Sequence, residues 1–362
     1  MSIYNNNYKI IVGMSGGVDS SVTAALLKES GYRIDALFMK NWEEDDINEC
    51  TSKKDYDDAK RVCKKLGIKM HLVNFSDSYW ELVFKSFIKG LKQGITPNPD
   101  IFCNKEIKFK QFLKYGLSLG YDKVATGHYA KIEKINNLYT LNKPHDKIKD
   151  QTYFLYMLNQ NILKSILFPL SDIDKKDVKK FAKSLDIEVS RKKESMGICF
   201  IGKKKFTSFI RKYIKPNPGL ICDKHNIALG NHNGLFNYTI GQRKGIKIGG
   251  KQNYQNKPWF VAEKDLKNNK LIISQDENDL LFNGEIILED VNWISKRINN
   301  NYTKCTVRFR HGGNLVDCKI INSSNKQKIK LNGFERAISL GQSAVFYTDN
   351  QCLGGGIIKL KC

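Results

Sequence analysis

The sequence GMSGGVDSS at residues 13–21 constrains the fold of this chain more than any other segment. It follows an apolar run at residues 10–12 that is typical of a buried strand. Apolar residues then recur at helical spacing until Gly31, which favours the end of a helix. A glycine loop between strand and helix suits an anionic ligand, because the unpaired N–H groups and the helix dipole attract negative charge. The sequence therefore predicts a phosphate-binding loop.

The residues of this loop distinguish it from two common phosphate-binding patterns. It lacks the Lys of GxxxxGK[ST] loops and the spacing of the GxGxxG dinucleotide motif. Gly16 and Gly17 would let the backbone approach a ligand closely, and Ser15, Ser20 and Ser21 add hydroxyl donors. The plain alternative is a Gly-Ser turn before an ordinary helix.

The pattern of strands and helices changes twice along the chain. Between residues 9 and 130, β-rich runs alternate with helical patterns, which predicts an α/β domain with a parallel sheet. Short strands follow residues 216–219, and Asn283-Gly284 marks a further break. We predict a catalytic domain at 1–215, a small β-rich central domain at 216–282 and an antiparallel β-barrel at 283–362. The predicted strands are residues 10–12, 34–39, 70–75, 123–126, 259–262, 271–274, 306–310 and 344–347, and the predicted helices include 56–66 and 80–91.

Three segments of the first domain are expected to meet in one pocket. Ligands of parallel sheets bind beyond the carboxyl ends of the strands. The glycine loop, residues 39–41 and residues 126–128 would all emerge at that edge.

The composition indicates a protein of the cytoplasm. The chain has 362 residues, 41% of them hydrophobic, and no apolar segment approaches the roughly 18 residues of a membrane span. Its start lacks a secretory signal, so we expect a cytoplasmic protein without a membrane partner. The nine cysteines include no C-x-x-C pair, which argues against a structural zinc site and favours reduced thiols.

The charge of the chain suggests a polyanionic partner. Sixty basic and 37 acidic residues give a net charge of +23, which suits RNA. The abundance of Lys, Asn and Ile leaves open that a biased genome composition supplies part of this excess.

Two cysteines have surroundings that favour reactivity. Asp100 precedes Cys103 at the start of a helical pattern, where a thiolate is stabilised and a buried carboxyl group can accept a proton. The alternative is that Asp100 caps the helix and Cys103 is a packed thiol. Cys199 lies between glycines after the basic stretch 191–193, and such a loop can carry sulfur as a persulfide. The residues alone do not pair these two cysteines.

Several motifs together resemble a broad family and a more specific family within it. The loop SGGVDS is similar to the PP-loop of the N-type ATP pyrophosphatases, which cleave ATP between the α- and β-phosphates. The order of the motifs resembles that of the bacterial tRNA-specific 2-thiouridylases, the MnmA family. These motifs are GMSGGVDSSV, NPDIFCNKEIKF, ATGHYA, KDQTYFLY, GICFIG and YTIGQRKGI.

The resemblance implies a reaction and its partners. The wobble uridine would be flipped out of the tRNA, its C2 oxygen adenylated by ATP with Mg²⁺, and AMP displaced by sulfur. Cys199 would receive sulfur as a persulfide from a cysteine desulfurase or a sulfur-relay carrier. Cys103 would be the nucleophile that releases that sulfur or resolves the intermediate, leaving a transient Cys103–Cys199 disulfide. Which sulfur atom attacks the base stays open, and a monomer is expected.

The resemblance also assigns roles to individual residues. For ATP they are Gly13, Met14, Ser15, Gly16, Gly17, Val18, Asp19, Ser20, Met39 and Gly127. For the target base they are Asn98, Pro99 and Asp100, and for the rest of the tRNA His128, Lys149, Asp150, Gln151, Arg310, His311 and Gln342. No direct protein cage for a metal is expected.

The chain departs from the family pattern at two positions. His311 stands where a Gln-like amide is common, and Lys247 interrupts a typically glycine-rich stretch. Arg308 and Arg310 are expected on one face of a strand, with His311 beside them. Two alternatives stay open: another adenylating PP-loop enzyme, which needs no redox cysteines, and a tRNA-binding protein whose catalytic domain has decayed.

Overall fold

A computed structural model shows three β-sheet regions in chain order. It describes residues 7–43, 51–187, 192, 206–251, 254–295, 302–322 and 327–361. Its strands are β1 Lys9–Met14, β2 Arg33–Lys40, β3 Met70–Asn74, β4 Lys123–Ala125, β5 Lys131–Ile135, β6 Leu138–Asn142, β7 Ile166–Leu167, β8 Gly219–Cys222, β9 Ala228–His232, β10 Phe260–Asp265, β11 Lys270–Ser274, β12 Leu281–Phe282, β13 Glu285–Trp293, β14 Tyr302–Arg308, β15 Val316–Asn322, β16 Gln327–Leu331, β17 Glu335–Arg336, β18 Ser343–Thr348 and β19 Gln351–Lys361.

The first region is a parallel sheet with helices connecting its strands. The strand order is β3-β2-β1-β4-β7, and every neighbouring pair is parallel. Strand β1 is central, and all its residues after Lys9 are buried. The helices are α1 Val18–Glu29, α2 Thr51–Leu66, α3 Ser76–Tyr79, α4 Lys85–Lys92, α5 Pro99–Phe102, α6 Phe112–Ser118, α7 Gln160–Leu163, α8 Lys175–Ser184 and α9 Phe206–Ile210, with π-helical segments at Trp80–Phe84 and Cys103–Gln111.

The second region is a small four-stranded sheet with the order β10-β11-β8-β9. Its own apolar core includes Ile221, Trp259, Val261 and Ile273. The β11–β8 pair is parallel, and the other two pairs are antiparallel.

The third region is a closed antiparallel barrel. Strands β13, β16, β15, β14, β18 and β19 form the ring, which the β13–β19 pairing closes. The β5–β6 hairpin, from the first region, joins the same sheet because β6 pairs with β19 at Asn142–Gln351 and Leu141–Cys352. This connection between the first and third regions is not evident from the sequence pattern.

The predicted fold class is confirmed, with a parallel-sheet domain, a β-rich centre and an antiparallel barrel. The predicted strand at 306–310 begins four residues late and ends two residues late, since β14 runs from Tyr302 to Arg308 and a bend follows. The predicted helix at 80–91 lies within a longer helical run from Ser76 to Lys92. None of the helices in the described part of the chain is long and apolar enough to cross a membrane.

Candidate active site

The three segments expected to meet do lie at one edge of the parallel sheet. Strand β1 pairs with β2 on one side and β4 on the other, all in the same direction. The glycine loop follows β1, Met39 lies near the end of β2, and Gly127 follows β4. An added Cβ at Gly13 would lie 3.6 Å from the Met39 Cε atom, so these two residues are adjacent.

Two glycines are required by close backbone contacts at this edge. Gly16 has a φ of +69°, and an added Cβ would lie 2.2 Å from the carbonyl oxygen of Asp55 in α2. At Gly127 an added Cβ would lie 2.9 Å from the amide nitrogen of Ser20. The loop after β4 therefore packs directly on the start of α1, and larger residues at either position would force the site apart.

The N-terminus of α1 is arranged to receive an anion. Gly17 is the N-cap and offers no side chain to the first N–H groups of the helix. The hydroxyls of Ser20 and Ser21 both donate to the Gly17 carbonyl, at 3.0 and 2.8 Å, and Ser20 Oγ accepts from the Ser15 amide. Because these hydroxyls hold the loop in shape, the helix amides carry the expected anion site.

Two residues of the glycine loop, Met14 and Val18, have buried side chains and offer only main-chain groups to a ligand. The side chains of Met14 and Val18 are buried in apolar clusters on either side of the loop. They fix the strand before the loop and the helix after it, so only their main-chain groups can face a nucleotide.

Asp19 has two partners that the sequence analysis missed. Its Oδ1 atom accepts hydrogen bonds from Tyr129 Oη at 3.0 Å and from Lys175 Nζ at 2.5 Å. The Lys175 ammonium also lies 5.8 Å from the Tyr129 ring centre. Lys175 begins α8, and its position 156 residues from Asp19 left no local signal in the sequence. The loop thus has a cation beside its only carboxylate.

Lys192 is a second lysine that contacts the same loop. Its ammonium donates to the Gly16 carbonyl at 2.9 Å and to carboxylates of Asp55 and Asp58 at 2.6 Å. Burial alone would lower the pKa of Lys192, but the hydrogen bonds and charges of the two aspartates outweigh it and raise that pKa. The lysine therefore stays charged and ties α2 to the glycine loop.

The residues expected at the target base form the start of a helix. Asn98 caps α5, because its Oδ1 accepts from the Asp100 amide at 3.1 Å, and Pro99 occupies the first turn. The cap is therefore Asn98 and not Asp100, which corrects the alternative role considered for Asp100. Cys103 follows in the same helical run and is 1% exposed. Cys199 lies outside the described residues.

His128 is held as a neutral ring beside this helix. Its Nδ1 atom lies 2.8 Å from Thr126 Oγ1, and its ring packs against Phe109 and Phe168. Burial, reinforced by the nearby charge of Lys108, lowers the pKa of His128 well below its usual value. A neutral imidazole can stack or donate one hydrogen bond, but it brings no charge to a phosphate.

The segment 149–151 is bound both to the rest of the first region and to the barrel. Asp150 is buried, and its carboxylate accepts from Arg308 Nη1 at 2.8 Å and from the Thr152 amide at 2.9 Å. The Gln151 side chain accepts from the Tyr129 amide at 2.8 Å. The Asp150 carboxylate thus faces the interior, where it joins the first region to the barrel.

The two barrel arginines do not share one strand face, contrary to the sequence-based expectation. Arg308 ends β14 and is turned inward towards Asp150, whereas Arg310 lies in the bend and donates to the Arg336 carbonyl at 2.8 Å. His311 stacks on Phe154, with ring centres 4.7 Å apart, and its Nε2 atom lies 3.0 Å from the Asp150 carbonyl. Arg310 is thus the more accessible arginine, with 46% of its side chain exposed against 14% for Arg308.

Gln342 contacts protein rather than open solvent. Its Nε2 atom donates to the Thr96 carbonyl at 2.5 Å, just before the Asn98 cap. Within the described ranges, no group of three or more His, Cys, Asp or Glu residues is arranged to hold a metal ion.

A parallel sheet with an uncapped glycine loop at its carboxyl edge defines the class of nucleotide-binding α/β proteins. Comparison with known families agrees over almost the whole chain. Residues 8–203 match the model described as tRNA methyl transferase HUP domain, residues 207–275 the tRNA methyl transferase PRC-barrel domain, and residues 283–358 the aminomethyltransferase beta-barrel domain.

Individual relatives carry a more specific name. The chain is 45% identical to the tRNA-specific 2-thiouridylase MnmA of Proteus mirabilis, over 99% of this chain and 98% of the relative. It is 47% identical to that of Buchnera aphidicola, over 99% and 98%, and 48% identical to that of Blochmanniella floridana, over 97% and 96%. The chain belongs to the tRNA-specific 2-thiouridylase family.

Proposed function

We propose that this protein is a sulfurtransferase that uses ATP to 2-thiolate the wobble uridine of tRNA. The observation that carries the proposal is the shared helical run from Pro99 to Ser118. It begins at the Asn98 cap, contains Cys103, and reaches the glycine loop, where Phe112 would lie 3.0 Å from a Cβ added at Gly13. One rigid element thus links the proposed target-base and ATP sites.

The glycine loop would bind and orient ATP. The free amides at the start of α1 suit its phosphates, and Met39 and Gly127 lie where the adenosine would extend along the sheet edge. Mg²⁺ would neutralise pyrophosphate, with Asp19 as the carboxylate of the loop and the phosphates supplying further oxygen ligands. The uridine C2 oxygen would attack the α-phosphorus, releasing pyrophosphate and forming the O-adenylate.

The cysteines would then supply sulfur in place of that oxygen. Cys199 would receive sulfane sulfur from a donor protein as Cys199–S–SH. Attack by the Cys103 thiolate on the inner sulfur releases hydrosulfide and leaves a Cys103–Cys199 disulfide, so that atoms and electrons balance. Sulfur adds at C2 of the base, and AMP leaves with the former uridine oxygen. Asp100, in the first turn of α5, would accept or relay a proton.

The tRNA would lie across the first region and the barrel. Lys149, His128, Arg310 and His311 would contact it, and His311 of the barrel lies 3.0 Å from the Asp150 carbonyl of the first region. The net charge of +23 favours a polyanion. We further propose a monomeric protein of the cytoplasm with domain boundaries near residues 215 and 282. The division agrees with the separate cores of the central sheet and the barrel.

The proposal is tested by incubating the protein with ATP, Mg²⁺, sulfide and tRNA that carries an unmodified wobble uridine. Nucleosides from the digested tRNA are then examined by mass spectrometry. We expect 2-thiouridine together with AMP and pyrophosphate. AMP without 2-thiouridine would instead indicate another adenylating enzyme, and tight tRNA binding without either product would indicate a binding protein.

A further inference from the structure

Residues 94–97, hereafter the approach segment, lead from α4 to the Asn98 cap. Their backbone sets where α5, and with it Asp100 and Cys103, begins. One contact comes from the same region, since the Ile95 amide donates to the Gly90 carbonyl at 3.2 Å. Further contacts come from the central sheet and from the barrel.

The central sheet holds the first residue of the approach segment. Lys264 in β10 donates from Nζ to the Gly94 carbonyl at 3.1 Å. Leu266 packs over Gly94, where φ is +74° and an added Cβ would lie 2.3 Å from Leu266 Cδ2. Among the residues that the structure describes, no ion pair involves Lys264, and burial lowers its pKa to about 8. A largely buried ammonium is thus used to hold one carbonyl.

The barrel binds Thr96, the third residue of the approach segment, through both its amide and its carbonyl group. The Thr96 amide donates to the Leu340 carbonyl at 2.8 Å, and the Thr96 carbonyl accepts from Gln342 Nε2 at 2.5 Å. Gly341 lies between these two partners with a φ of +84°, and an added Cβ would lie 3.1 Å from the Thr96 nitrogen. A side chain at 341 would therefore crowd the approach segment and adopt a strained backbone conformation.

We propose that Lys264 and Gln342 are positioning residues that fix the approach segment, and so align the target-base helix, from two separate domains. Gln342 then acts through Thr96. The inference rests on the proposed function for its kinetic consequence, but the contacts themselves are independent of the reaction catalysed.

The energetics of the two contacts make this role separable from stability. Burying an ammonium opposes folding, because the charged form loses its hydration. Replacing Lys264 by Met keeps most of the side-chain volume, removes that opposing contribution and leaves the Gly94 carbonyl without its donor. These two effects offset each other in the free energy of unfolding. Alignment of α5, in contrast, depends only on the hydrogen bond that Lys264 donates.

The test compares Lys264→Met, Lys264→Arg and Gln342→Met with the wild type and with Lys267→Met, an exposed lysine of the same hairpin. Amide hydrogen exchange of a peptide covering residues 92–102 is measured first, without substrates. Thermal midpoints, tRNA dissociation constants and single-turnover thiolation at saturating ATP and tRNA follow.

We expect exchange in residues 92–102 to rise about tenfold in Lys264→Met and Gln342→Met, because local opening becomes easier. Thiolation should slow about tenfold, since small misplacements of reacting groups are costly, while tRNA affinity stays within about twofold. The thermal midpoint should move by no more than about 2 °C. Lys264→Arg should regain most of the rate because it restores a donor, and Lys267→Met should resemble wild type.

Unchanged exchange in both Met variants would overturn the proposal, as would a Gln342→Met effect confined to tRNA affinity. A lowered midpoint with a proportionate loss of activity would also overturn it, since that result indicates a merely structural role. If the wild type forms no 2-thiouridine, the proposed function fails, while the exchange measurement still decides whether the two residues fix the segment.

Discussion

The glycine loop and the approach segment are both short connections at the proposed active site, but they are held in different ways. The glycine loop is shaped by its own serines and by three residues of the same region, namely Asp55 in α2, Lys175 in α8 and Lys192. The approach segment takes Lys264 from the central sheet and Gln342 from the barrel. We therefore expect nucleotide chemistry to depend on one region, and alignment of the target base to depend on all three.

The strongest test of this division is to remove the sulfur chemistry alone. Cys103→Ser should abolish 2-thiouridine formation, by at least about 10³-fold, because a hydroxyl cannot accept or release sulfane sulfur. AMP and pyrophosphate formation should persist within about threefold, since the glycine loop is untouched. Cys199→Ser should behave alike and keep ATP and tRNA binding.

Both products are measured in single turnovers with radiolabelled ATP. Loss of AMP formation in Cys103→Ser would show that the two regions are not separable. Wild-type thiolation by either variant would remove that cysteine from the mechanism.

A second test breaks the glycine loop. Gly16→Ala should lower kcat/KM for ATP by about 100-fold, because the added methyl group meets the Asp55 backbone at 2.2 Å in a positive-φ conformation. Gly120→Ala is the matched control, with a φ of +82° and nothing within 4 Å. It should lose some stability and keep its activity. Equal losses in the two variants would mean that backbone strain, and not the contact, is what matters.

The third test removes the carboxylate of the loop. Asp19→Ala should weaken the use of ATP and Mg²⁺ about tenfold, because the Lys175 and Tyr129 contacts lose their acceptor and the glycine loop loses its carboxylate. Adenylation rates measured across a Mg²⁺ titration give the result. An unchanged rate and Mg²⁺ midpoint would argue against any role of Asp19 with the nucleotide.

A fourth test uses the pKa of Lys264 as a probe of the approach segment. Its folded pKa of about 8 lies below the ordinary value of 10.5, so between these limits the unfolded chain binds more protons. This group should make the wild type more stable as pH rises from 8 to 10.5, an increment that Lys264→Met lacks. Urea unfolding of both proteins at pH 7.5, 9 and 10 measures it. If the free energy of unfolding varied with pH in the same way in both proteins, the Lys264 ammonium would be solvated in the folded state.

The smallest expected effect concerns tRNA itself. Arg310→Ala should weaken tRNA binding a few-fold and reduce the salt dependence of log Kd by about one phosphate contact, because Arg310 is the accessible arginine of the bend. Arg308→Ala should instead destabilise the protein, since it leaves Asp150 buried without its cation. Filter binding across salt concentrations and thermal unfolding distinguish the two. An unchanged salt slope in Arg310→Ala would exclude that contact.

The sequence predicted those structural features that depend on residues close together in the chain. Strand β1, the glycine loop and α1 follow each other directly, so glycine placement and apolar spacing revealed them. The pairs Asp19–Lys175 and Thr96–Gln342 are 156 and 246 residues apart, and neither has a repeating pattern. The inward turn of Arg308 was missed for a related reason: its partner Asp150 lies in another domain, and β14 ends before Arg310.

The hairpin that joins the barrel has a consequence for synthesis of the chain. Strand β6 ends at Asn142, and its partner in β19 begins at Gln351. At a translation rate of about 5–20 residues per second, β19 emerges roughly 10–40 s after β6. During that interval the edge of β6 that later pairs with β19 has unpaired main-chain N–H and C=O groups, which can pair with a strand of a neighbouring nascent chain. Polysomes making this enzyme should therefore depend on holdase chaperones more than its final, closed barrel suggests.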